Sequence, residues 1–259
     1  MTDPIATLPE RLSSLKSDLD TQGERVRAVV DRAVEALFAG TPDDALALIE
    51  ADEAIDHADV AIERAAVALL QSAAIAAEAD LSEADIRMVL TIVKVNNELE
   101  RIADLMVNAV HHVPAFASMR GEGGECDATG IPPAFRVLAN SVIGIVQLTV
   151  RAFAQMNDAE AGVVLKSDDT TEAFKRQLLR DIETGLSEGR VSVDDAFALH
   201  AASAHFARAA DHCTNVAEQI IYVTTGLIVR HENNQWTAPA PAPAPTPAPA
   251  PARPEENAS

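Results

Sequence analysis

The sequence is poor in cysteine, aromatic residues and basic residues, and each shortage excludes a class of protein. Its 259 residues include two cysteines, too few for a disulfide-stapled secreted scaffold, and only 3% aromatic residues. The 20 lysines and arginines are outnumbered by 40 acidic residues, which leaves a formal net charge of −20. Nucleic acids and anionic membrane surfaces bind positive patches, so we expect neither as a partner. The scarcity of cysteine fits a reducing compartment, and we expect a cytoplasmic protein.

Long apolar runs are absent as well. The longest run near the middle of the chain, 137–150, lies between Arg136 and Arg151 and is too short to span a bilayer. It predicts a buried helix segment, and we expect no direct insertion into a membrane. The first ten residues contain neither the basic residues nor the apolar stretch of a signal peptide.

What the sequence does contain is a series of helix start and stop signals. Thr41-Pro42-Asp43-Asp44 and Ser82-x-x-Asp85 are both typical of helix N-termini. Such signals predict six helices in two groups of three, over about 8–39, 42–79 and 82–112, and then over about 133–156, 158–187 and 192–230. The expected fold class is therefore all-α.

The two groups of helices are copies of one unit. Two acids four residues apart on the second helix match two acids with the same spacing on the fifth. An Arg-x-x-Asp sequence on the third helix recurs on the sixth. The matched residues are Asp52 with Asp168, Asp56 with Glu172, Arg101 with Arg208, and Asp104 with Asp211.

The repeat defines the domain organisation. We expect a first three-helix bundle at 8–112 and a second at 132–230. Glycine and proline in 113–131 predict a flexible linker between them. The last segment, 231–259, is dominated by alternating alanine and proline, which predicts an extended, disordered tail.

Several acids stand at helix positions that otherwise look buried. The buried stripe of the second helix is predicted by apolar residues seven apart: Leu48, Ile55, Ile62 and Leu69. Asp52 and Asp59 lie on the flanking stripe, with Asp56 one turn from both. In the third helix a stripe begins apolar and becomes acidic: Ile86, Leu90, Val93, Asn97, Glu100, Asp104 and Val107. Carboxylates that share a helix face repel one another and lose hydration, so they require a compensating cation.

Two kinds of cation satisfy this requirement. Arg101 or Arg208 can form salt bridges to carboxylates of a neighbouring helix. In that case Asn97, Asn108 and Asn215 serve as interhelical hydrogen-bond partners. Alternatively, a metal ion draws carboxylates from two helices, since Mg²⁺, manganese and iron all accept oxygen ligands. Spacing alone leaves both alternatives open.

The sequence lacks several motifs of helix-bundle and nucleotide-binding enzymes. It contains no P-loop and no His-Glu-x-x-His sequence. No glutamate is followed by histidine three residues later, which is the pattern of carboxylate-bridged dimetal oxidases. We therefore expect a protein that is not an enzyme.

The quoted residues resemble the PhoU family over about 8–230. Asp52-x-x-x-Asp56 precedes Asn97-Glu98-Leu99-Glu100-Arg101-Ile102-Ala103-Asp104-Leu105-Met106-Val107-Asn108, which resembles the first PhoU repeat. The second repeat is similar to Ala207-Arg208-Ala209-Ala210-Asp211-His212-Cys213-Thr214-Asn215-Val216-Ala217-Glu218. The resemblance implies two three-helix bundles. It also implies metal ligands at Asp52, Asp56, Glu100 and Asp104 in the first repeat, and at Asp168, Glu172 and Asp211 in the second. Ala207 stands where the family has a glutamate, so the second set lacks one carboxylate.

The resemblance further implies a regulator of phosphate homeostasis. Such a protein restrains phosphate-starvation signalling through a phosphate sensor histidine kinase. It modulates phosphate uptake through the ATPase subunit of the phosphate ABC transporter, and so lies peripheral to the inner membrane. The acid motifs imply iron, zinc, manganese or magnesium ions, and we expect a homodimer. An accessory protein of a sodium–phosphate cotransporter and a carboxylate-bridged metal-binding bundle are the alternatives.

Overall fold

A computed structural model describes residues 7–39, 42–75, 81–119, 130–232 and 235–237. Within these ranges the chain forms α1 (Leu8–Ala39), α2 (Pro42–Ile75), α3 (Glu83–Val110), α4 (Val113–Met119), α5 (Pro133–Gln155), α6 (Asp158–Lys166), α7 (Asp168–Ser187) and α8 (Val193–Thr225). A short hairpin follows, with strands β1 (Arg230–Glu232) and β2 (Gln235–Thr237). The prediction of an all-α fold with two three-helix repeats is confirmed: α1–α3 form the first repeat, and α5–α8 form the second.

Both repeats contribute to one apolar core. They join most extensively through α3 and α8, and also through α1 and α5. Near the centre, Phe135 of α5 lies edge-on to Phe116 of α4 and Phe206 of α8, with ring centroids 5.0 and 5.8 Å apart. All three rings are fully buried. The second bundle is therefore packed against the first rather than connected to it by the linker alone.

The close approach of α1 to α5 depends on a small residue. A Cβ atom added at Gly23 of α1 would lie 3.1 Å from Cγ1 of Val150 on α5, tighter than most side-chain contacts. Glycine lets the two helix backbones come together here, at a cost of about 1 kcal/mol in helix propensity. The contact fixes the first helices of the two repeats against each other.

The predicted linker at 113–131 begins with a helix. Pro114 indicated that the helical pattern stops, but it is the second residue of α4, and proline is tolerated in the first turn of a helix. Val113, Phe116 and Met119 of α4 are buried. These apolar residues anchor α4 on the core, whereas 120–129 lie outside the described residues.

The fifth predicted helix is in fact two helices, α6 and α7, which meet at Ser167. The Ser167 backbone N–H and hydroxyl both donate to the carbonyl of Val164, at 3.0 and 2.6 Å. The Thr171 hydroxyl donates to the Ser167 carbonyl at 3.1 Å. Serine, threonine and aspartate side chains compete with the backbone for hydrogen bonds, so a run of them interrupts the helix.

The sixth predicted helix ends earlier than expected. Gly226 follows α8 with a left-handed backbone (φ 76°), and its N–H donates to the carbonyl of Tyr222. The hairpin of β1 and β2 then occupies the start of the segment predicted to be a disordered tail, 231–259. The prediction was wrong for the residues of this hairpin, because the disorder was predicted from the alanine–proline alternation, which begins only at Ala238. Residues 238–259 lie outside the described residues.

One helix of the described residues, α5, is long and apolar enough to cross a membrane by length and composition. Half of its most apolar window is buried, and it packs against α1, α7 and α8. The core helix of a soluble protein passes the same test, so this is weak evidence for a membrane span.

The predicted cap of the third helix is confirmed and allows a direct test. Ser82 Oγ accepts a hydrogen bond from the Asp85 N–H at 3.1 Å, and an Asp85 carboxylate oxygen accepts one from the Ser82 N–H at 3.1 Å. Replacing Ser82 by alanine should lower the free energy of unfolding by about 1 kcal/mol, because an end of α3 loses its acceptor. Urea denaturation measures the change. Ser14→Ala, on an exposed face inside α1, is the control and should be neutral or slightly stabilising.

Candidate functional site

Three of the predicted metal ligands meet between α2 and α3. Asp52 and Asp56 lie one turn apart on α2, and Asp104 lies on α3. Each offers a carboxylate oxygen, and the three oxygens lie within 4.8 Å of one another. Ile55, fully buried between the two α2 acids, holds this face of α2 against the core. Among the described residues, this is the one group of three or more acidic, histidine or cysteine side chains with such spacing.

Glu100, the fourth ligand predicted in the first repeat, lies one turn before Asp104. Its Oε2 atom is buried and accepts no hydrogen bond, as is also true of Oδ1 of Asp52. The nearest cation is Arg101, whose Nε lies 3.4 Å from Glu100 Oε2 and whose Nη1 lies 3.5 Å from Asp104 Oδ2. Arg101 is half exposed and pairs within α3, not with a neighbouring helix. Its two long contacts compensate the acids only in part.

The pKa values of these acids reflect their crowding. Burial, together with the charges of Asp56 and Asp104, raises the pKa of Asp52 to about 6. Burial and the charge of Asp104 also raise the pKa of Glu100, against a smaller opposing effect of Arg101. Burial, followed by Glu63 and Asp56, raises the pKa of Asp59, one turn farther along α2. The acids therefore repel one another in the folded protein, and a bound cation would relieve that repulsion.

The arrangement suits a hard or borderline divalent cation. Its donors are oxygens from two helices, and two of these oxygens are buried without a hydrogen-bond donor. Magnesium, manganese and iron accept such carboxylate sets, and zinc accepts carboxylate oxygen as one of its ligands. The residues present in the first repeat thus fit the ions that the sequence implied.

The second repeat places its acids similarly but less closely. Asp168 and Glu172 lie on α7, and burial followed by the charge of Asp168 raises the pKa of Asp211 on α8. Lys175 Nζ lies 3.6 Å from Glu172 Oε1 and supplies a cation of the protein's own. Ala207, buried at the position that matches Glu100, brings no carboxylate. In the part of the chain that the structure describes, these acids form no group of three within 4.8 Å.

One buried residue next to the acids was missed in the sequence. Asn96 is 1% exposed, and its Nδ2 donates to Asp59 Oδ1 at 2.6 Å and to the Asp59 carbonyl at 3.0 Å. It joins α3 to α2, the role that was predicted for its exposed neighbour Asn97. The available signal was its spacing, four residues after Ile92 and three before Leu99, both on the buried face of α3. Asn108 donates within its own helix, to the Asp104 carbonyl at 2.8 Å.

A second polar cluster joins the two repeats. Glu98 of α3 accepts a hydrogen bond from Asn215 Nδ2 of α8 at 3.0 Å, and its Oε2 lies 2.6 Å from His212 Nδ1. Burial alone would raise the pKa of Glu98, but these hydrogen bonds outweigh it and leave the pKa below its usual value. Asn215 is thus an interhelical hydrogen-bond partner, as the salt-bridge alternative predicted. The adjacent Cys213 is fully buried, which raises the pKa of its thiol to about 12 and makes it unreactive.

The chain also contains a Gly-x-Ser-x-Gly sequence at 185–189, the spacing of a hydrolase nucleophile elbow. Such an elbow lies between a strand and a helix, so that its serine is exposed on a tight turn. Here Ser187 is the last residue of α7, and its hydroxyl donates to the carbonyl of Thr184 at 2.8 Å. The spacing therefore lies at a helix end and not in the strand–turn–helix context of such an elbow.

Comparison with known proteins agrees with this architecture. The family profile of the PhoU domain matches residues 19–113 and 135–220, once in each repeat. The chain is 26% identical over 215 residues to the phosphate-specific transport system accessory protein PhoU homolog 1 of Thermotoga maritima, which covers 83% of this chain and 88% of the relative. It is 28% identical over 220 residues to the PhoU homolog of Pseudomonas aeruginosa, with 85% and 86% covered.

A solved structure shares the fold. The crystal structure of PhoU from Pseudomonas aeruginosa matches with a TM-score of 0.73 at 24% sequence identity, over 85% of this chain and 100% of that chain. The two domain matches span both three-helix repeats and well over half of the sequence. On this basis the chain belongs to the PhoU family.

Proposed function

We propose that this protein is an accessory regulator of phosphate uptake and of phosphate-starvation signalling, and that it is not an enzyme. The observation that carries the proposal is the duplicated PhoU domain. Relatives that share it over more than four fifths of this chain bear the name of phosphate-specific transport system accessory proteins. The regulator acts by binding other proteins and restrains the starvation response when phosphate is plentiful.

Its proposed partners are a phosphate sensor histidine kinase and the ATPase subunit of a phosphate ABC transporter. A net charge of −20 favours contact with basic protein patches, because complementary charge steers association and selects partners. Both contacts place the protein in the cytoplasm, peripheral to the inner membrane. A homodimer is the expected oligomeric state, since dimers are the commonest closed assembly.

We further propose that Asp52, Asp56, Glu100 and Asp104 hold an iron, zinc, manganese or magnesium ion. The ion would neutralise the crowded acids and tie α2 to α3. Asp168, Glu172 and Asp211 form a weaker second site in this proposal, because Ala207 removes one ligand and Lys175 already pairs with Glu172. The support for the first site is its oxygen spacing and its two unpartnered buried oxygens.

Two other functions remain as alternatives: an accessory protein of a sodium–phosphate cotransporter, and a metal-binding bundle without a signalling role. Gene neighbourhood separates the first alternative from the main proposal cheaply. Transporter and kinase genes beside this gene favour the main proposal, whereas a lone cotransporter gene favours the first alternative.

Co-purification tests the proposed partners. The full chain, tagged and expressed in its own organism, should recover the sensor kinase and the transporter ATPase from cells grown in high phosphate. Recovery should exceed that of an equally acidic tagged helical protein used as the control. If both partners are missing from the wild-type sample under high and low phosphate, the proposed function is wrong.

A further inference from the structure

A cleft of about 710 Å³ opens where α2, α3 and α8 meet. It lies next to the acid cluster but uses none of the proposed metal ligands. Side chains from both repeats line it, so the cleft exists only because the repeats pack together. The lining residues that matter here are Asp59, Glu63, Val93, Asn96, Glu98 and Gln219.

The charge of the cleft is negative. Asp59 and Glu63 come from α2, Glu98 from α3 and Glu218 from α8. Lys94 is the lone basic residue among the lining side chains that the structure describes, and its ammonium already lies over the ring of Tyr222, 5.8 Å from the centroid. The cleft is therefore built to attract a cation.

Two buried amides point to a ligand that donates hydrogen bonds. Asn96 is 1% exposed and Gln219 is 9% exposed, and both line the cleft. Oδ1 of Asn96 and Oε1 of Gln219 have no hydrogen-bond partner. Buried acceptors without donors are costly, so each such group calls for an explanation. Both oxygens lie beneath the accessible surface of the cleft, so a ligand with several N–H groups would supply the missing donors once the two amide groups rotate toward it.

A single metal ion does not fit this cleft. Its volume is that of a site for an organic ligand. Within the described ranges, none of its carboxylates belongs to a group of three ligand atoms within 4.8 Å of one another. The carboxylates are spread along the walls, which suits a larger cation with several donors.

The cleft continues into an exposed apolar strip on α3. Val93 lines the cleft, and Leu90 and Ile86 follow on the same face at helical spacing, 48% and 42% exposed. A free polyamine would leave this strip uncovered. A peptide that carries an apolar residue beside its basic residue would cover both the strip and the cleft.

We propose that this cleft binds an arginine-bearing amphipathic segment of a partner protein, with the guanidinium among the acids and amides and an apolar side chain on Leu90 and Ile86. Arginine suits the site better than lysine, because its planar group presents five donors and remains charged when desolvated. A second copy of this chain is a poor occupant, since its acidic residues outnumber its basic ones two to one and the cleft is itself acidic, so a homodimer would use another surface. The inference rests on the proposed function and gives the chemistry of its protein contact.

Fluorescence anisotropy tests the inference on the full chain. The probe is a labelled amphipathic peptide with arginine and leucine one helical turn apart. Asp59→Asn with Glu63→Gln should weaken its binding by roughly 10-fold or more, because the half-buried Asp59 and the exposed Glu63 both lose the charge that attracts the guanidinium. The control pair Asp169→Asn with Glu183→Gln removes the same charge from the exposed face of α7 and should change binding by less than about 2-fold. Citrulline in place of arginine should abolish binding.

Several results would overturn the inference. These are equal losses for the two variant pairs, undiminished binding of the citrulline peptide, and the absence of any peptide binding. Spermine binding as tightly as the peptide, with alanine in place of leucine making no difference, would assign the cleft to a free polyamine instead. Thermal melts of each variant check that the fold is intact.

The same variants separate this inference from the proposed function. If the Asp59→Asn, Glu63→Gln protein still recovers the kinase and the ATPase as well as the wild type does, the cleft is not the contact, although the proposed function stands. If the wild type recovers neither partner but binds the peptide, the cleft binds basic segments and the proposed function is wrong.

Discussion

Replacing Asp52 by asparagine is expected to stabilise the metal-free protein at neutral pH and to weaken its stabilisation by metal. Burial and two neighbouring acids raise the pKa of Asp52 from 3.8 to about 6. Between these two values the folded state binds more protons than the unfolded state, so stability falls as pH rises through that window. Asparagine removes the charge and should add about 1 kcal/mol at pH 7, after allowance for solvent screening. At pH 4 the gain should be small.

Metal should reverse the order of stability, so that the wild type becomes more stable than Asp52→Asn. At 100 times its dissociation constant, an ion that binds only the folded state stabilises it by about 2.7 kcal/mol. Asp52→Asn should lose most of this gain, because one of the four carboxylates is then a neutral amide. Urea denaturation in EDTA and in manganese chloride, at pH 4 and pH 7, measures the free energy of unfolding of both proteins with and without metal.

Glu53→Gln is the matched control for this pair of measurements. Glu53 is exposed on α2, directly beside Asp52 but outside the group of three acids. It should change stability by less than about 0.5 kcal/mol under every condition. A loss of stability for Asp52→Asn in EDTA at pH 7 would contradict the claim that repulsion among these acids destabilises the metal-free protein. Elemental analysis of protein purified without chelator identifies the ion, and an equal metal content in the wild type and in Asp52→Asn would contradict the proposed site.

Truncation of Phe135 is expected to have the largest effect on the fold. This ring lies 5.7 Å from Phe38, 5.0 Å from Phe116 and 5.8 Å from Phe206, between centroids, and so links α1, α4, α5 and α8. Phe135→Ala should lower the free energy of unfolding by roughly 3–5 kcal/mol, because it leaves a cavity where the two repeats share their core. Urea denaturation of the full chain provides the measurement.

Phe197→Ala provides the control for the loss of a phenyl ring. Phe197 is 71% exposed on α8, and its truncation should cost less than about 0.5 kcal/mol. The loss of stability for Phe135→Leu should lie between those of Phe135→Ala and Phe197→Ala, since leucine refills part of the cavity. Equal costs for Phe135→Ala and Phe197→Ala would show that the repeats do not depend on a common aromatic core.

Local features of the fold were accessible from the sequence. Helix periodicity and the Ser82–Asp85 cap are decided by residues within one or two turns, and they were predicted correctly. The spacing of Asp52 and Asp56 put both on one helix face, and its recurrence at Asp168 and Glu172 revealed the repeat. The pairing of these acids with Glu100 and Asp104 of α3 was implied by the resemblance to the PhoU family, not by a local pattern.

Contacts between distant parts of the chain were not accessible. Glu98 and His212 are 114 residues apart, and neither carries a local signal that pairs it with the other. The break at Ser167 depends on a balance between helix propensity and side-chain hydrogen bonds that a single sequence leaves undecided. The cleft between α2, α3 and α8 likewise arises from the packing of one repeat on the other, which no pattern within either repeat specifies.

The proposed regulatory role is tested most directly by a phosphate-starvation reporter in the organism that encodes this protein. The gene is deleted, and reporter output is measured in high phosphate, with and without the wild-type chain supplied in trans. Removal of a restraint should raise the output several-fold above wild type, and the supplied chain should return it to the repressed level. Unchanged output in the deletion strain would contradict a role in restraining phosphate signalling.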